Sequence, residues 1–312
     1  MKDLRESEKG VFVLDSGDLL FKKFVNPISE IELKGMSEKA HLMIESFNLM
    51  GYDAMGIGDD DLLMGKEFLS EISKKAHFPF LSSNLLDEVS GKVLFQSFLI
   101  KEIRGLRIGI FALLSPDFFT GHSEPRRKGV TFRPPIETAQ AIVKELKPKT
   151  DLIILLSHLG YAKDIELAQT LQGINIIIGG HNGLNLVYPP VTKNTIILQS
   201  ASRGMYGARL DLFLYNNETT FYNSATKISL ENNLNSINQR LTSKEIPEAE
   251  KAQWQKAKEQ TERTLNQLQG KNVFTNNLIP LAEQMKDHSE IKTLVEAYKA
   301  KIQTKENPIS PK

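Results

Sequence analysis

The chain has 312 residues, of which 40% are hydrophobic and 25% are charged, values that are ordinary for a globular protein. It contains no cysteine, which excludes disulfides, thiolate metal sites and a cysteine nucleophile. The formal net charge of +1 gives no indication of a nucleic acid polymer or an anionic membrane as a partner. No apolar run approaches the roughly 20 residues of a transmembrane segment, and the N-terminal stretch MKDLRESEKG lacks the apolar core of a secretory signal.

The N-terminal part of the chain alternates short apolar strands with helices. Residues 11–14 predict a strand that runs into an acidic turn containing Asp18. A helix is predicted from Ser37, as its N-cap, to Gly51. The strand YDAMGIG then ends in three consecutive carboxylates, residues 59–61. Such carboxylates are typical of a turn or a solvated helix start, but they also suit a site that faces a cation, and the pattern alone leaves both open.

The next part predicts a strand in FPFLSSNLLDE and a hairpin that turns at residues 104–105. Residues 116–135 form a loop rich in proline, glycine and charge. This loop contains His122 and a basic cluster at residues 126–128, and we expect its histidine to be a bystander. Residues 136–146 predict a helix.

A strand-helix-strand unit follows at residues 151–183. LIILL and INIIIGG are continuous apolar runs, typical of parallel strands buried on both faces. The segment between them has helical spacing and is predicted to end at Gly173. A right-handed crossover places the strands side by side, so that His158 and His181 reach the same carboxyl edge. Open α/β folds build their ligand sites at this edge.

The C-terminal part predicts antiparallel strands up to about residue 230. Residues 231–270 are polar and predict a helical hairpin broken near Pro247, which we interpret as an appendage or partner surface. Another helix follows, and the last residues, TKENPISPK, are expected to be disordered. The predicted domains are therefore residues 1–229 and a helical extension at residues 230–312.

The strand ends together deliver carboxylates and imidazoles without thiolates. Ligands of this kind suit Zn²⁺, Mn²⁺ or Fe better than Ca²⁺ or Mg²⁺. A metal ion held by them would polarise a phosphoryl oxygen. Placing such side chains at the ends of several different strands is more specific than any single motif.

Six segments follow one another in the order and approximate spacing of the calcineurin-like metallophosphoesterases. They are LDSGDLL, GYDAMGIGDDDLLMG, FPFLSSNL, LLSHLGYAKDIELA, INIIIGGHNG and ILQSASRGMYGARLDL. The chain resembles this superfamily over roughly residues 11–215, and most closely the catalytic domain of its 5′-nucleotidase group. The resemblance implies an α/β fold, a four-layer α/β/β/α sandwich without its first strand, followed by the helical extension.

The resemblance also implies a metal site. Asp18 corresponds to the carboxylate that bridges the metals, and Asp59 stands where the family has an asparagine ligand. His158 and His181 correspond to histidine ligands. The implied ligand set of a divalent ion (Zn, Mn or Fe) is therefore Asp18, Asp59, His158 and His181.

Several positions depart from the family pattern. Asp60 replaces the catalytic histidine, Leu63 replaces the aspartate that supports it, and Gly183 replaces the second histidine of the Gly-His-x-His motif. The opening strand with its Asp-x-His ligands would lie upstream of Met1, so we expect a misplaced start or a fragment. These departures imply one metal site rather than two. They leave Asp60 and Asp61 as the residues that orient a water or complete the coordination.

Two functions remain open at this point. The first is a metal-dependent phosphoester hydrolase of the 5′-nucleotidase-like group that releases phosphate from nucleotides or related monoesters in nucleotide catabolism. The second is a catalytically impaired homologue that acts as a binding or scaffold protein, with residues 230–312 as the surface for a protein partner. The resemblance implies a periplasmic or otherwise exported protein, although a cytoplasmic location of the chain as written stays open.

Overall fold

The computed structural model describes residues 2–8, 10–21, 29–120, 124–243 and 246–306. His122 and the final residues 307–312 of the segment expected to be disordered lie outside these ranges. The helices are α1 (Lys2–Ser7), α2 (Glu30–Met50), α3 (Gly65–Ser73), α4 (Pro135–Leu146), α5 (Tyr161–Thr170), α6 (Ser224–Thr242), α7 (Glu248–Leu268) and α8 (Ser289–Glu306). The strands are β1 (Leu14–Asp15), β2 (Ala54–Gly56), β3 (Phe80–Leu81), β4 (Leu85–Asp87), β5 (Phe98–Ile103), β6 (Leu106–Leu114), β7 (Val130–Phe132), β8 (Leu152–His158), β9 (Ile176–Gly179), β10 (Val191–Thr192), β11 (Thr195–Leu198), β12 (Tyr206–Phe213), β13 (Phe221–Asn223) and β14 (Asn272–Pro280).

Two β-sheets stack face to face between two layers of helices. The first sheet is parallel, in the order β1-β2-β3, and the second has the order β10-β11-β9-β8-β6-β5. The core between them contains apolar side chains of both sheets, among them Ala54, Leu81, Ile110, Leu156 and Ile196. Helices α2 and α3 cover the outer face of the first sheet, and α4 and α5 cover that of the second. The predicted four-layer α/β/β/α sandwich is confirmed.

Strands β8 and β9 with helix α5 form the predicted parallel unit. The two strands pair in parallel, with Ile154 opposite Ile176. His158 is the last residue of β8, and His181 follows shortly after the end of β9. Both histidines therefore reach the carboxyl edge of the second sheet, as the crossover argument predicts.

The boundaries of helices α2 and α5 differ from the prediction. Helix α2 begins at Glu30 rather than after Ser37, because Ser29 and Glu32 form a capping box in which each side chain accepts the backbone N–H of the other residue. Helix α5 ends at Thr170 rather than near Gly173, because the chain is already extended at the next residue.

The segment after β9 contains fewer antiparallel pairs than predicted. β11 pairs in parallel with β9, and the short β10 pairs antiparallel with β11. β12 belongs to a separate sheet of order β12-β14-β13 and pairs antiparallel with β14 along its length. Strand β14 is not predicted from the sequence, because polar residues interrupt the apolar ones in NVFTNNLIP and its partner strand β12 is distant in the chain.

Helices α6 and α7 form the predicted helical hairpin, with its break around Pro247, but α6 begins at Ser224, within the stretch predicted as strand. The hairpin connects β13 to β14, and these two strands pair in parallel. Phe221 of β13 and Phe274 of β14 are buried in the core between the main sheets. The division of the chain at residue 230 stays a prediction. Among the described helices, none is long and apolar enough to cross a membrane.

Leu156 lies in the core between the sheets, and its side chain is completely buried. We expect a cavity at this position to lower the stability of the fold strongly. Leu156→Ala should lower the free energy of unfolding by about 2–5 kcal/mol, because it removes buried methyl groups and leaves a cavity. Chemical denaturation followed by circular dichroism measures this. Val89→Ala, at a residue that is 90% exposed, is the control and should change stability by less than about 0.5 kcal/mol. Equal effects of the two substitutions would contradict the assignment.

Candidate metal centre

The structure brings together the four residues that the resemblance implies as metal ligands. Asp18 and Asp59 follow β1 and β2 of the first sheet, whereas His158 and His181 stand at the ends of β8 and β9 in the second. One nitrogen or oxygen atom from each residue lies within 4.8 Å of the other three. Nε2 of His158 lies 3.1 Å from Oδ2 of Asp18 and 3.1 Å from Oδ1 of Asp59. Nδ1 of His181 lies 3.1 Å from the same Asp59 oxygen.

Close contact between two loops shapes this edge. A Cβ atom on Gly17 would lie 2.2 Å from the backbone nitrogen of Gly58, and a Cβ atom on Gly58 would lie 2.2 Å from Oδ1 of Asp18. Asp18 and His181 adopt left-handed φ angles of 60° and 66°. Such conformations cost non-glycine residues on the order of 1–3 kcal/mol and concentrate at functional sites. The loops therefore hold two of the four residues in a backbone conformation that non-glycine residues rarely adopt.

A backbone carbonyl fixes the tautomer of His158. Its Nδ1 lies 2.9 Å from the carbonyl oxygen of Ser16, which can only accept, so Nδ1 carries a hydrogen and donates it. Nε2 then faces Asp18 and Asp59. Burial lowers the pKa of His158, but the hydrogen bonds with these two carboxylates outweigh burial and raise that pKa well above its usual value. Burial likewise raises the pKa of Asp59, but the hydrogen bonds from the two histidines hold it well below its usual range.

The two residues predicted to act in catalysis, Asp60 and Asp61, are both buried. The oxygens of Asp61 accept hydrogen bonds from the backbone N–H groups of Asp18, Leu20 and Gly58. Burial raises the pKa of Asp61, and the nearby Asp18 carboxylate raises it further, against the effect of these amides. The backbone N–H of Asp60 donates to Oδ1 of Asp18 at 2.8 Å. Asp61 therefore fastens the two loops to each other, while the catalytic roles of both residues stay predictions.

Two residues that line this centre are not predicted from the sequence. Arg126 is buried, and its Nη1 donates to Oδ2 of Asp59 and to Oδ1 of Asp60. The ring of Phe118 stacks on His181 with 3.4 Å between the ring centroids. Both come from the loop at residues 116–135, for which the sequence predicts no site residue. Arg126 belongs to the basic cluster noted there, but no periodicity in a loop predicts which side chain turns inward.

These residues fit a divalent metal ion. Donor atoms held about 2.0–2.2 Å from an ion stand about 3–3.5 Å apart, which matches the 3.1 Å separations in this cluster. Carboxylate and imidazole ligands suit Zn²⁺, Mn²⁺ or Fe. The hydrogen bond from Nδ1 of His158 to a backbone carbonyl is the kind of outer contact that orients a metal-binding histidine.

The position of the missing second histidine leaves no room for a side chain. Gly183 has a φ of 62°, and a Cβ atom there would lie 2.7 Å from Cβ of Ser202. A larger residue would therefore have to displace Ser202 and adopt a strained backbone. Within the described ranges, Asp18, Asp59, His158 and His181 form the one cluster of this type that is found.

A buried carboxyl group lies behind the two strands that carry the histidines. Asp164 of α5 is completely buried and accepts a hydrogen bond from Oγ of Ser157. A Cβ atom on Gly179 would lie 2.5 Å from Oδ2 of Asp164 and 2.7 Å from Nε2 of Gln199. Burial raises the pKa of Asp164 to about 7, against the effect of its hydrogen bonds. Asp164 thus ties α5 to the end of β8 and lies against Gly179 at the end of β9.

Comparisons with known proteins agree with this fold. The chain is 29% identical over 249 residues to the 5′-nucleotidase of Vibrio cholerae, an alignment that covers 69% of this chain and 43% of that protein. It is 28% identical over 237 residues to the trifunctional nucleotide phosphoesterase protein YfkN of Bacillus subtilis, covering 63% of this chain and 15% of that protein. The solved structure of a 5′-nucleotidase precursor from Thermus thermophilus matches with a TM-score of 0.64 and 21% identity, covering 97% of this chain and 52% of that chain.

The chain spans less than half the length of the two curated relatives, 43% of one and 15% of the other. No family model matches the chain. The structural match therefore supports the fold, and the sequence matches support the group that the motifs indicate.

The buried carboxyl group of Asp164 predicts a pH-dependent stability. Its pKa of about 7 lies above that of an aspartate in the unfolded chain, so the folded protein holds the proton more tightly. The stability that the protonated group contributes is fully present below about pH 4 and is lost as pH rises through about 7. Asp164→Asn cannot ionise. In metal-free protein, the free energy of unfolding of the variant relative to wild type should therefore rise by roughly 2–4 kcal/mol between pH 4.5 and pH 8.

Denaturant titrations of both proteins at constant ionic strength measure this difference. Asp151→Asn, at a half-exposed surface ion pair with Arg107, provides a carboxylate control for which no such rise is expected. A difference between Asp164→Asn and wild type that stays constant with pH would contradict the assignment.

Proposed function

Because the chain is a homologue of the 5′-nucleotidase-like metallophosphoesterases, we propose that it is a metal-dependent phosphoester hydrolase with nucleotides or related monoesters as substrates. The observation that carries this proposal is the convergence of Asp18, Asp59, His158 and His181 at the carboxyl edge of the sandwich, with their ligand atoms within 4.8 Å. Two relatives, a 5′-nucleotidase and a nucleotide phosphoesterase, suggest the substrate class by their names.

Each element of the centre has a role in this proposal. The two carboxylates and two imidazoles would hold the ion, which supplies Lewis acidity toward a phosphoryl oxygen when bound. The Ser16 carbonyl keeps the hydrogen of His158 on Nδ1, so that Nε2 is presented to the site. Asp61 keeps the two acidic loops in register. Asp60 lies next to Asp59 and, by this proposal, orients the attacking water or completes the ligand set together with Asp61.

The proposed centre contains one divalent ion rather than two. Gly183 supports this, because it offers no side chain where the family has a second histidine ligand. The presence of a single ligand cluster in the described part of the chain supports it as well. Carboxylate and imidazole ligands suit Zn²⁺, Mn²⁺ or Fe, and the proposed ion is one of these three.

Export to the periplasm or cell exterior and a role in nucleotide catabolism belong to the same proposal and rest on the family resemblance. The proposal also keeps residues 230–312, with their helical hairpin, as the surface for a protein partner. The alternative, a catalytically impaired homologue that binds or scaffolds, has no support from the relatives described above and is an outcome of the following test.

His158→Ala should abolish phosphate release. Purified protein is assayed with a nucleoside 5′-monophosphate and with p-nitrophenyl phosphate in the presence of Mn²⁺ or Zn²⁺. Because the substitution removes a buried ligand, we expect the rate to fall by about 100-fold or more. His77→Ala, at an exposed histidine, is the matched control and should keep the wild-type rate. Wild-type protein that binds metal but releases no phosphate from any substrate would favour the binding or scaffold alternative.

Metal analysis should give one ion per chain. Protein dialysed against Mn²⁺ or Zn²⁺ and then freed of excess metal is measured by inductively coupled plasma mass spectrometry. His158→Ala and Asp59→Ala should both reduce the content to near zero, because each removes a ligand, whereas His77→Ala should leave it unchanged. A content of two ions per chain would contradict the single site, and no ion in the wild type would contradict the proposed function.

A further inference from the structure

Arg126 brings a permanent positive charge to the acidic side of the metal centre. Its side chain is 7% exposed, and its Nη1 lies 2.5 Å from Oδ2 of Asp59 and 2.7 Å from Oδ1 of Asp60. The side chains of these two acids are 7% and 9% exposed. Adjacent buried carboxylates repel each other unless a cation compensates their charge. One guanidinium nitrogen supplies that compensation to both.

The contacts of Asp59 separate the arginine from the histidines. Oδ1 of Asp59 faces His158 and His181 at 3.1 Å each. Oδ2 faces Arg126. The arginine therefore uses the oxygen that the proposed ion does not need, and the space between Asp18, Asp59 and the histidines is not taken by the guanidinium.

The guanidinium of Arg126 is itself held in a fixed orientation. Nε and Nη2 donate to the two oxygens of Glu124 at 2.9 and 3.2 Å, and Nη2 also donates to the carbonyl oxygen of Phe118 at 3.2 Å. The ring of Phe119 lies 5.4 Å from Cζ, within cation–π distance. A planar fork with several donors suits this arrangement, which the compact ammonium of lysine cannot reproduce.

We propose that Arg126 is the internal cation of this centre: by bridging Asp59 and Asp60 it offsets part of their negative charge and so sets how strongly they attract the proposed ion. The inference rests on the proposed function. At the two positions where the family has an asparagine and a histidine, this chain has two carboxylates. Arg126 brings one positive charge to them from a distant loop, where it also pairs with Glu124, whose side chain is 7% exposed. It is a positioning and charge-balancing residue, and we assign it no contact with the substrate.

The proposal predicts that affinity for the divalent ion follows the local charge. Arg126→Gln adds one net negative charge and should tighten Mn²⁺ binding by about tenfold at low ionic strength. Asp60→Asn removes one negative charge and should weaken binding by about the same factor. The double variant Asp60→Asn/Arg126→Gln has the wild-type net charge and should bind Mn²⁺ about tenfold more tightly than Asp60→Asn alone. Isothermal titration calorimetry of metal-free protein with Mn²⁺ measures all four dissociation constants.

Two further variants separate charge from shape and from general surface effects. Arg126→Lys keeps the charge without the fork, so its Mn²⁺ affinity should stay within about threefold of wild type even where its thermal stability falls. Arg127→Gln removes the neighbouring exposed arginine and should leave the affinity unchanged. Where Arg126→Gln does not fold, Asp60→Asn and Arg126→Lys still test the charge dependence.

Unfolding midpoints provide a readout that an ordinary structural role would not change. Loss of a purely structural ion pair lowers the midpoint equally with EDTA and with Mn²⁺. If Arg126 is the internal cation, Arg126→Gln should lower the unfolding midpoint with EDTA. Mn²⁺ should then raise the midpoint of this variant by more than it raises that of the wild type. Metal binding by wild type with equal or weaker binding by Arg126→Gln would overturn this inference alone. Absence of binding in every variant would overturn the proposed function.

Discussion

Asp59 divides its two oxygens between two imidazoles and one guanidinium, and the geometry of the whole edge depends on holding that carboxylate in place. Asp59 follows a short strand of one sheet, whereas both histidines belong to the other. The contact of Asp59 with His158 and His181 therefore joins the two sheets at an edge that is otherwise formed by loops. Its strength comes from charge-assisted hydrogen bonds in a buried environment, where such bonds are stronger than in water.

Much of this arrangement could be predicted from the sequence. The apolar runs of β8 and β9 specify buried parallel strands, and the handedness of the crossover then brings His158 and His181 to one edge. The six motif segments add Asp18 and Asp59 from the other sheet. These predictions succeeded because continuous apolar runs in the sequence indicate which strands are buried and where they end.

What the sequence did not reveal depends on contacts between distant, irregular segments. Arg126 reaches Asp59 through a loop whose residues have no period, so its burial appears only when the chain is folded. Strand β14 has no regular apolar alternation, and it pairs with β12, from which it is separated in the chain by the whole helical hairpin. Gly183 was noted as a missing ligand, but the role of Ser202 in filling that space needed coordinates. Each of these misses comes from tertiary packing overriding weak local preference.

The parallel pairing of β13 with β14 has a consequence for the hairpin of α6 and α7. Because Asn223 and Phe274 are register partners, the chain departs from the sheet and returns to it at neighbouring positions. The entropy of closing a loop grows slowly with its length, so such an excursion can lengthen, shorten or diverge in sequence while the strands on either side keep their registration. Changes in the length or sequence of the hairpin therefore need not disturb β1, β2, β8 and β9, which position the proposed metal ligands.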